Sequence, residues 1–331
     1  MSFCLPRILS RTSLPTKLLR PMSSASSAPL LLTPAQVKEL MAGQRPISIL
    51  DATWFMPNVS RKAKDEFASK RLPGAQFLDL DEVASPHELG LKHMMPSGRV
   101  FADACERLGI APSSHVIIYD GHGVFSSPRA LFMFRAFGHG NSSIIDGGLP
   151  RWQADGLPVE DGVPQQAQPS EYPAPILDTA TVKSYEQVVS NSLLGPALSS
   201  DAEIVVDARS QGRYLGKDPE PRPGLSSGHI PNSFSLPFTA FLDRKSTGGL
   251  EYTTFLPKEK IQQALVNAVG PEAVDMILQG KLPITTSCGS GMSAGVLWLG
   301  LKLLGVEKIG LYDESWTGYA MRPTSKIEIS H

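Results

Sequence analysis

The 331-residue chain predicts two tandem α/β domains, each a mostly parallel sheet with helices on both faces, and three observations carry that prediction. Short β-prone runs alternate with helical segments from Leu32 onward. A proline-rich stretch interrupts this pattern near the middle. After it, the same set of short motifs begins again in the same order.

Taken in order, residues 1–29 are basic and serine-rich, with Arg7, Arg11, Lys17 and Arg20 and no acidic side chain before Glu39. That composition predicts a mitochondrial targeting segment, and Met22 offers a second start that would leave a cytoplasmic form. Residues 30–162 form the first predicted domain, with strands at Ile47-Ser-Ile-Leu-Asp51, Val116-Ile-Ile-Tyr-Asp120 and Ile144-Ile-Asp146 and a helix from Pro128 to Phe137. Residues 163–178, with prolines at 164, 169, 173 and 175, read as a linker. Residues 179–325 form the second domain.

The repeat is visible residue by residue. Ser48-Ile-Leu-Asp51-Ala matches Ile204-Val-Val-Asp207-Ala, Arg71-Leu-Pro-Gly-Ala matches His229-Ile-Pro-Asn-Ser, and Asp146-Gly-Gly matches Asp313-Glu-Ser. Most informative is Ile117-Ile-Tyr-Asp120-Gly-His-Gly against Thr285-Thr-Ser-Cys288-Gly-Ser-Gly. One loop occurs twice, headed by Asp in one copy and by Cys in the other. A carboxylate repels an anion and cannot relay sulfur, so the first copy is expected to be catalytically silent.

In the second copy a β-prone run ends at Cys288, glycines follow at 289 and 291, and Val296 to Leu304 is apolar enough for a buried helix. Glycines let the backbone turn sharply, so that several N–H groups and a helix N-terminus converge on one atom. The sulfur of Cys288 stands at that point, and surroundings of this kind favour the thiolate, the nucleophilic form. A cysteine after an apolar strand is more often a small core residue, but Gly-Ser-Gly serves a packed core poorly. A Cys-based phosphatase would need Arg six residues on, where this chain has Ala294; no Lys or Arg lies between Lys281 and Lys302.

Thirty-one basic against 32 acidic residues, for a formal charge of -1 and no basic block in the body, argue against direct binding of nucleic acid. No apolar run reaches the ~18 residues of a membrane span. Of three cysteines, Cys4 lies in the targeting segment and Cys105 sits on an amphipathic helical pattern, so no disulfide framework is suggested. There is no metal-ligand cluster and no nucleotide loop, hence no predicted cofactor.

Two α/β copies with a Cys-headed loop only in the second resemble the two-domain rhodaneses, a sulfurtransferase family. The resemblance covers residues 32–323, through Asp51-Ala-Thr-Trp54, Ser127-Pro-Arg129, Met133-Phe-Arg-Ala-Phe-Gly-His139, Asp207-Ala-Arg209, Gly228-His-Ile-Pro231 and Tyr312-Asp313. It implies two tandem rhodanese-like domains and a cysteine persulfide on Cys288. Members acting on thiosulfate carry Cys-Arg-Lys-Gly in the loop, placing cations beside a dianion. Cys288-Gly289-Ser290-Gly291 is similar instead to the branch acting on 3-mercaptopyruvate. That similarity assigns Arg213 and Arg222 to the substrate carboxylate and ketone, Gly289, Gly291, Met292 and Ser293 to the loop that holds the sulfur, and Ser290, His93 and Asp81 to a proton relay. Thioredoxin, a small thiol or cyanide is implied as acceptor. The rival expectations are thiosulfate:cyanide sulfurtransfer and a persulfide carrier in tRNA thiolation. Departures from the family pattern are Met292-Ser293, Gly295 where a second Cys often sits, Glu314 in place of Gly and Gly318 in place of Glu.

Overall fold

The computed structural model describes Met1 and residues 28–194 and 202–330. Most of the basic N-terminal segment, including Met22, lies outside the described residues. The strands are β1 (Leu31–Leu32), β2 (Ile47–Asp51), β3 (Gln76–Phe77), β4 (His115–Tyr119), β5 (Ser142–Ile145), β6 (Val182–Lys183), β7 (Ile204–Asp207), β8 (Ser233–Ser235), β9 (Leu242–Thr247), β10 (Leu250–Phe255), β11 (Ile284–Ser287) and β12 (Ile309–Tyr312). Two five-stranded sheets run β1-β5-β4-β2-β3 and β6-β12-β11-β7-β8, the same order twice. Every pairing within them is parallel, so the repeat read from the motifs is a repeat of topology.

Alternation along the strands explains the layers. In the first sheet Leu50, Val116, Ile118 and Ile144 face a core shared with the second domain, whereas Ile49, Ile117, Tyr119 and Ile145 face an outer cluster around Trp152. Both faces are therefore covered by apolar side chains, as a parallel sheet requires. The domains meet where helix Ser127–Ala136 crosses helix Ala294–Leu303. A Cβ on Gly295 would lie 2.8 Å from the Arg129 nitrogen, so glycine is what lets the two backbones touch.

The copies differ most between their third and fourth strands. There the first domain inserts the loop 78–97 before helix Gly98–Arg107, and the second inserts the antiparallel hairpin β9–β10 before helices Lys258–Val269 and Pro271–Leu278. Each insertion reaches the opposite domain at equivalent aspartates. Met95 N donates to Asp313 Oδ2 (2.8 Å), and Phe255 N donates to Asp146 Oδ1 (2.9 Å). Residues 163–178 run along the first domain: Ser170 N donates to the Glu106 carbonyl (3.1 Å), and the Tyr172 hydroxyl meets His139 Nδ1 (2.8 Å). Among the described residues no helix is long and apolar enough to cross a membrane.

Asp51 and Asp207 end equivalent strands in different electrostatic settings. Asp207 Oδ2 is paired with Arg209 Nη2 at 2.6 Å. Asp51 pairs with no cation among the described residues; burial pushes its carboxyl up to about 7, outweighing hydrogen bonds from the Thr53 hydroxyl and amide and from Tyr119, with the charge of Asp120 adding to the rise. Between the ordinary value of 3.8 and about 7 the unfolded chain has lost a proton that the folded chain keeps. Stability therefore falls as pH rises through that window and is level above it. Asp51→Asn is expected to gain stability over the parent between about pH 4.5 and about pH 7.5, by roughly 1 kcal/mol or more, in urea titrations at those two values. An equal effect at both would place the titration elsewhere.

Candidate active site

Strand β11 ends at Ser287, and Cys288 follows, 1% exposed, at the head of helix Ala294–Leu303. The turn is held from outside by the segment after β12: Trp316 N donates to the Cys288 carbonyl (2.8 Å) and Thr317 N to the Gly289 carbonyl (2.9 Å). With those carbonyls tied back, the amides of Gly289, Ser290, Gly291, Met292 and Ser293 donate to no acceptor among the described residues. Gly291 has φ 83, and a Cβ there would sit 2.7 Å from the Asp313 carbonyl oxygen. Only glycine makes this turn without moving the neighbouring strand end.

The first-domain loop is the internal control. Asp120 Oδ2 accepts from the amides of Phe125 (2.9 Å), Ser126 (3.0 Å) and Ser127 (2.9 Å) and from the Ser127 hydroxyl (2.7 Å), while Oδ1 accepts from His122 N (2.9 Å). Gly121 N and Val124 N are taken by Thr53 and Thr253. The same loop thus turns amides onto its own carboxylate in one copy, and in the other leaves the matching amides of Ser290 and Ser293 open beside a thiol, while Gly295 N, opposite Ser127 N, donates to the Met292 carbonyl (3.1 Å).

Two guanidinium groups cover the open cradle. A Cβ on Gly289 would lie 3.2 Å from Arg213 Nη2 and 3.7 Å from Arg222 Nη1. Arg213 is already neutralised, donating from Nε (3.1 Å) and Nη2 (2.5 Å) to Glu220, whose Oε1 also accepts from Arg209 Nη1 (2.7 Å). Arg222, half-buried, makes no ion pair or side-chain hydrogen bond among the described residues. Burial lowers its pKa, with Arg213 acting in the same direction, and Cys288 is the strongest influence opposing that. It is a cation still in need of an anion. Trp54, Met56, Phe125, Arg213, Arg222, Ser290, Met292 and Ser293 enclose a void of about 40 Å³ above Cys288, and a cavity of about 730 Å³ opens beside it, sharing Met56 and Phe125.

Of the predicted relay, two members meet. His93 Nδ1 lies 2.8 Å from Asp81 Oδ1, and Trp54 Nε1 donates to Asp81 Oδ2 (3.2 Å). Burial alone would raise the Asp81 carboxyl; the His93 and Trp54 hydrogen bonds and the charges of His93 and Lys92 outweigh it and hold it below the ordinary value. Ser290 lines the void but has no hydrogen bond to His93, whose Nε2 is buried without a partner. The His93 loop is pinned by Arg129, which donates from Nη2 to the His93 carbonyl (2.8 Å) and to Asp313 Oδ1 (2.5 Å). Trp54, Arg129 and Asp313 stood in matched motifs, but their place in the site depends on which domain surfaces face each other. Glu220, two residues before Arg222, carried no signal of its own in the sequence. Among the described residues no cluster of His, Cys, Asp or Glu is placed to hold a metal ion.

The Rhodanese-like domain model matches this chain twice, over residues 33–155 and 193–322. The chain belongs to the rhodanese family of sulfurtransferases. It is 38% identical over 294 residues to human 3-mercaptopyruvate sulfurtransferase, covering 87% of this chain and 90% of that protein. Thiosulfate sulfurtransferase of Cricetulus griseus is 35% identical over 295 residues, with 86% and 88% covered. Among solved structures, SseA of Escherichia coli, described as a 3-mercaptopyruvate sulfotransferase, is similar with a TM-score of 0.71 at 28% identity, over 87% of this chain and 99% of that one.

The departures from the rhodanese pattern at 295, 314 and 318 have structural reasons, and nothing in the structure explains Met292-Ser293. A cysteine at 295 would drive its Cβ into helix Ser127–Ala136. Glu314 and Gly318 trade places one helical turn apart: a Cβ on Gly318 would lie 2.3 Å from Glu314 Oε2, so the carboxylate occupies the space a side chain at 318 would need. Glu314 pairs with Arg322 and lies 3.5 Å from His87 Nε2, away from the residues that line the void.

Proposed function

We propose that this rhodanese moves sulfur from 3-mercaptopyruvate to a thiol acceptor through a persulfide on Cys288. The observation that carries the reading is the contrast between the two loops. Asp120 Oδ2, two bonds beyond Cβ, is held by the amides of Phe125, Ser126 and Ser127. The motif pairing sets Ser293, Ala294 and Gly295 at those places, where Gly295 N is taken by the Met292 carbonyl but Ser293 N is open, as is Ser290 N opposite His122. The outer sulfur of a Cys288 persulfide also lies two bonds beyond Cβ. The thiolate of Cys288 attacks the donor sulfur, the donor C–S bond breaks, and the leaving pyruvate enolate takes a proton. Arg222 receives the donor carboxylate, and Arg213, held by Glu220, faces the ketone. Ser290 is the hydroxyl on the void wall for proton transfer, with the His93–Asp81 pair behind Trp54 as its reserve. The acceptor, a small thiol or a thioredoxin-like dithiol, approaches through the larger neighbouring cavity.

Intact-mass measurement after mixing with 3-mercaptopyruvate or with thiosulfate tests the reading. A gain of one sulfur, mapped to the Cys288 peptide and matched by released pyruvate, is expected from the first donor. A gain from thiosulfate alone would transfer the assignment to thiosulfate sulfurtransfer, which the 35% identity to the Cricetulus griseus protein keeps in view. Gain from neither, with rapid loading by a protein persulfide, would make the chain a carrier. Arg222→Gln is expected to raise KM for 3-mercaptopyruvate by about tenfold or more, since it removes the unpaired charge; an unchanged KM would place the carboxylate elsewhere. The acid-poor segment 1–29 supports a mitochondrial location, as in the Arabidopsis thaliana relative named mitochondrial, and a start at Met22 would add a cytoplasmic form.

A further inference from the structure

Ser315 occupies a backbone conformation that its counterpart in the other copy reaches with glycine. The motif pairing sets Asp146-Gly147-Gly148 against Asp313-Glu314-Ser315, and the two third positions have nearly the same backbone, Gly148 with φ 52 and Ser315 with φ 51. Left-handed backbone is strained for a residue with a Cβ, and such strain persists where the surrounding structure enforces it, often at functional sites. What the second copy gains for that strain is a hydroxyl.

That hydroxyl is fully buried and engaged with the nucleophile on two sides. Its oxygen accepts from Cys288 N at 3.0 Å, it donates to the Tyr312 carbonyl at 2.8 Å, and it stands 3.9 Å from Cys288 Sγ. One proton thus faces two acceptors. While the sulfur is neutral or carries a persulfide, the carbonyl is the better acceptor; once Sγ is a thiolate, a charged acceptor stands within a small rotation. The other charged groups facing this sulfur are Arg213 and Arg222, from the segment after β7.

We propose that Ser315 is a positioning residue for Cys288, holding it by its amide and giving its hydroxyl proton to Sγ as a hydrogen bond when the persulfide is discharged. The inference deepens the persulfide reading and rests on it. In the discharge step an acceptor thiolate attacks the outer sulfur of Cys288–S–SH. The S–S bond breaks, the acceptor leaves as its own persulfide with that hydrogen, and the electron pair stays on Sγ as thiolate. A donor beside Sγ stabilises that leaving group, and the same hydroxyl stands beside Sγ before any sulfur is loaded.

Two variants separate hydroxyl from strain: Ser315→Ala removes the hydroxyl and keeps the strained Cβ, and Ser315→Gly removes both. Iodoacetamide alkylation of Cys288 across pH, which needs no persulfide, is measured with single-turnover discharge of the loaded enzyme to dithiothreitol. Both variants are expected to alkylate more slowly than the parent at a given pH and to discharge about tenfold more slowly, with Ser315→Gly melting no lower than the parent. A Ser315→Gly enzyme that alkylates and discharges like the parent would overturn the proposal, even if Ser315→Ala is impaired or does not fold. Failure of the parent to load sulfur would instead refute the persulfide reading, while the alkylation profile still reports on Ser315.

Discussion

Cys288→Ser is expected to take up no sulfur from 3-mercaptopyruvate and to turn over at least about a thousandfold more slowly than the parent. A serine hydroxyl is far less ionised than a thiol in the same cradle and forms no persulfide, so the amides of the loop would face a group that cannot carry the transferred atom. The other described cysteine offers no substitute. Cys105 is 1% exposed on helix Gly98–Arg107. Burial, with some help from Glu106, pushes its thiol up to about 12. Intact mass with peptide mapping checks the expectation, and sulfur retained on any residue of Cys288→Ser would end the assignment. The cradle itself is expected to survive, because Cys288 N–H still meets Ser315 Oγ in the variant.

Arg129→Met is expected to cost about 3–5 kcal/mol of stability and most of the activity. The Arg129 side chain is 2% exposed and Asp313 13%, and the pair spans the two domains at 2.5 Å. Methionine would leave the Asp313 carboxylate half-buried with Met95 N as its remaining partner, and would release the His93 carbonyl. It would also open the space beside Gly291, where Arg129 Nη1 lies 3.2 Å from the position of a Cβ. One substitution therefore loosens the domain contact, the His93–Asp81 loop and the Cys288 turn together. Urea unfolding of Arg129→Met, Asp313→Asn and the double variant checks it: the double variant is expected to be more stable than the sum of the singles predicts, since the carboxylate is no longer stranded. Additive losses, or a single loss under about 1 kcal/mol, would show that the pair does not join the domains.

Much of this architecture is legible in the sequence, because it rests on local rules repeated along the chain. Apolar runs with both faces buried, separated by helical periodicity, dictate a parallel sheet, and a second pass of the same motifs dictates a second one. The candidate nucleophile, Cys288, was legible for a similar reason: a thiol followed by Gly-Ser-Gly has few uses in a packed core. Arg213 and Arg222 emerged only through family resemblance, and the sequence treated them as equals.

The tertiary structure decided which groups are free and which are spent, since that depends on contacts between residues far apart in the chain. Glu220 neutralises Arg213, and Arg222 is left without a side-chain partner among the described residues. Asp81 and His93 meet at 2.8 Å, whereas Ser290 stays apart from them. Only folding revealed that Asp120 fills its own cradle, that equivalent aspartates receive the two exchanged insertions, and that Ser315 accepts strain to reach Cys288. The fold class and the candidate nucleophile follow from the order of residues along the chain, because strand period, turn chemistry and the repeat are local. The charge state of the site and its joining of two domains follow from packing, because hydrogen bonds and ion pairs are decided by which buried groups come within about 3 Å of each other.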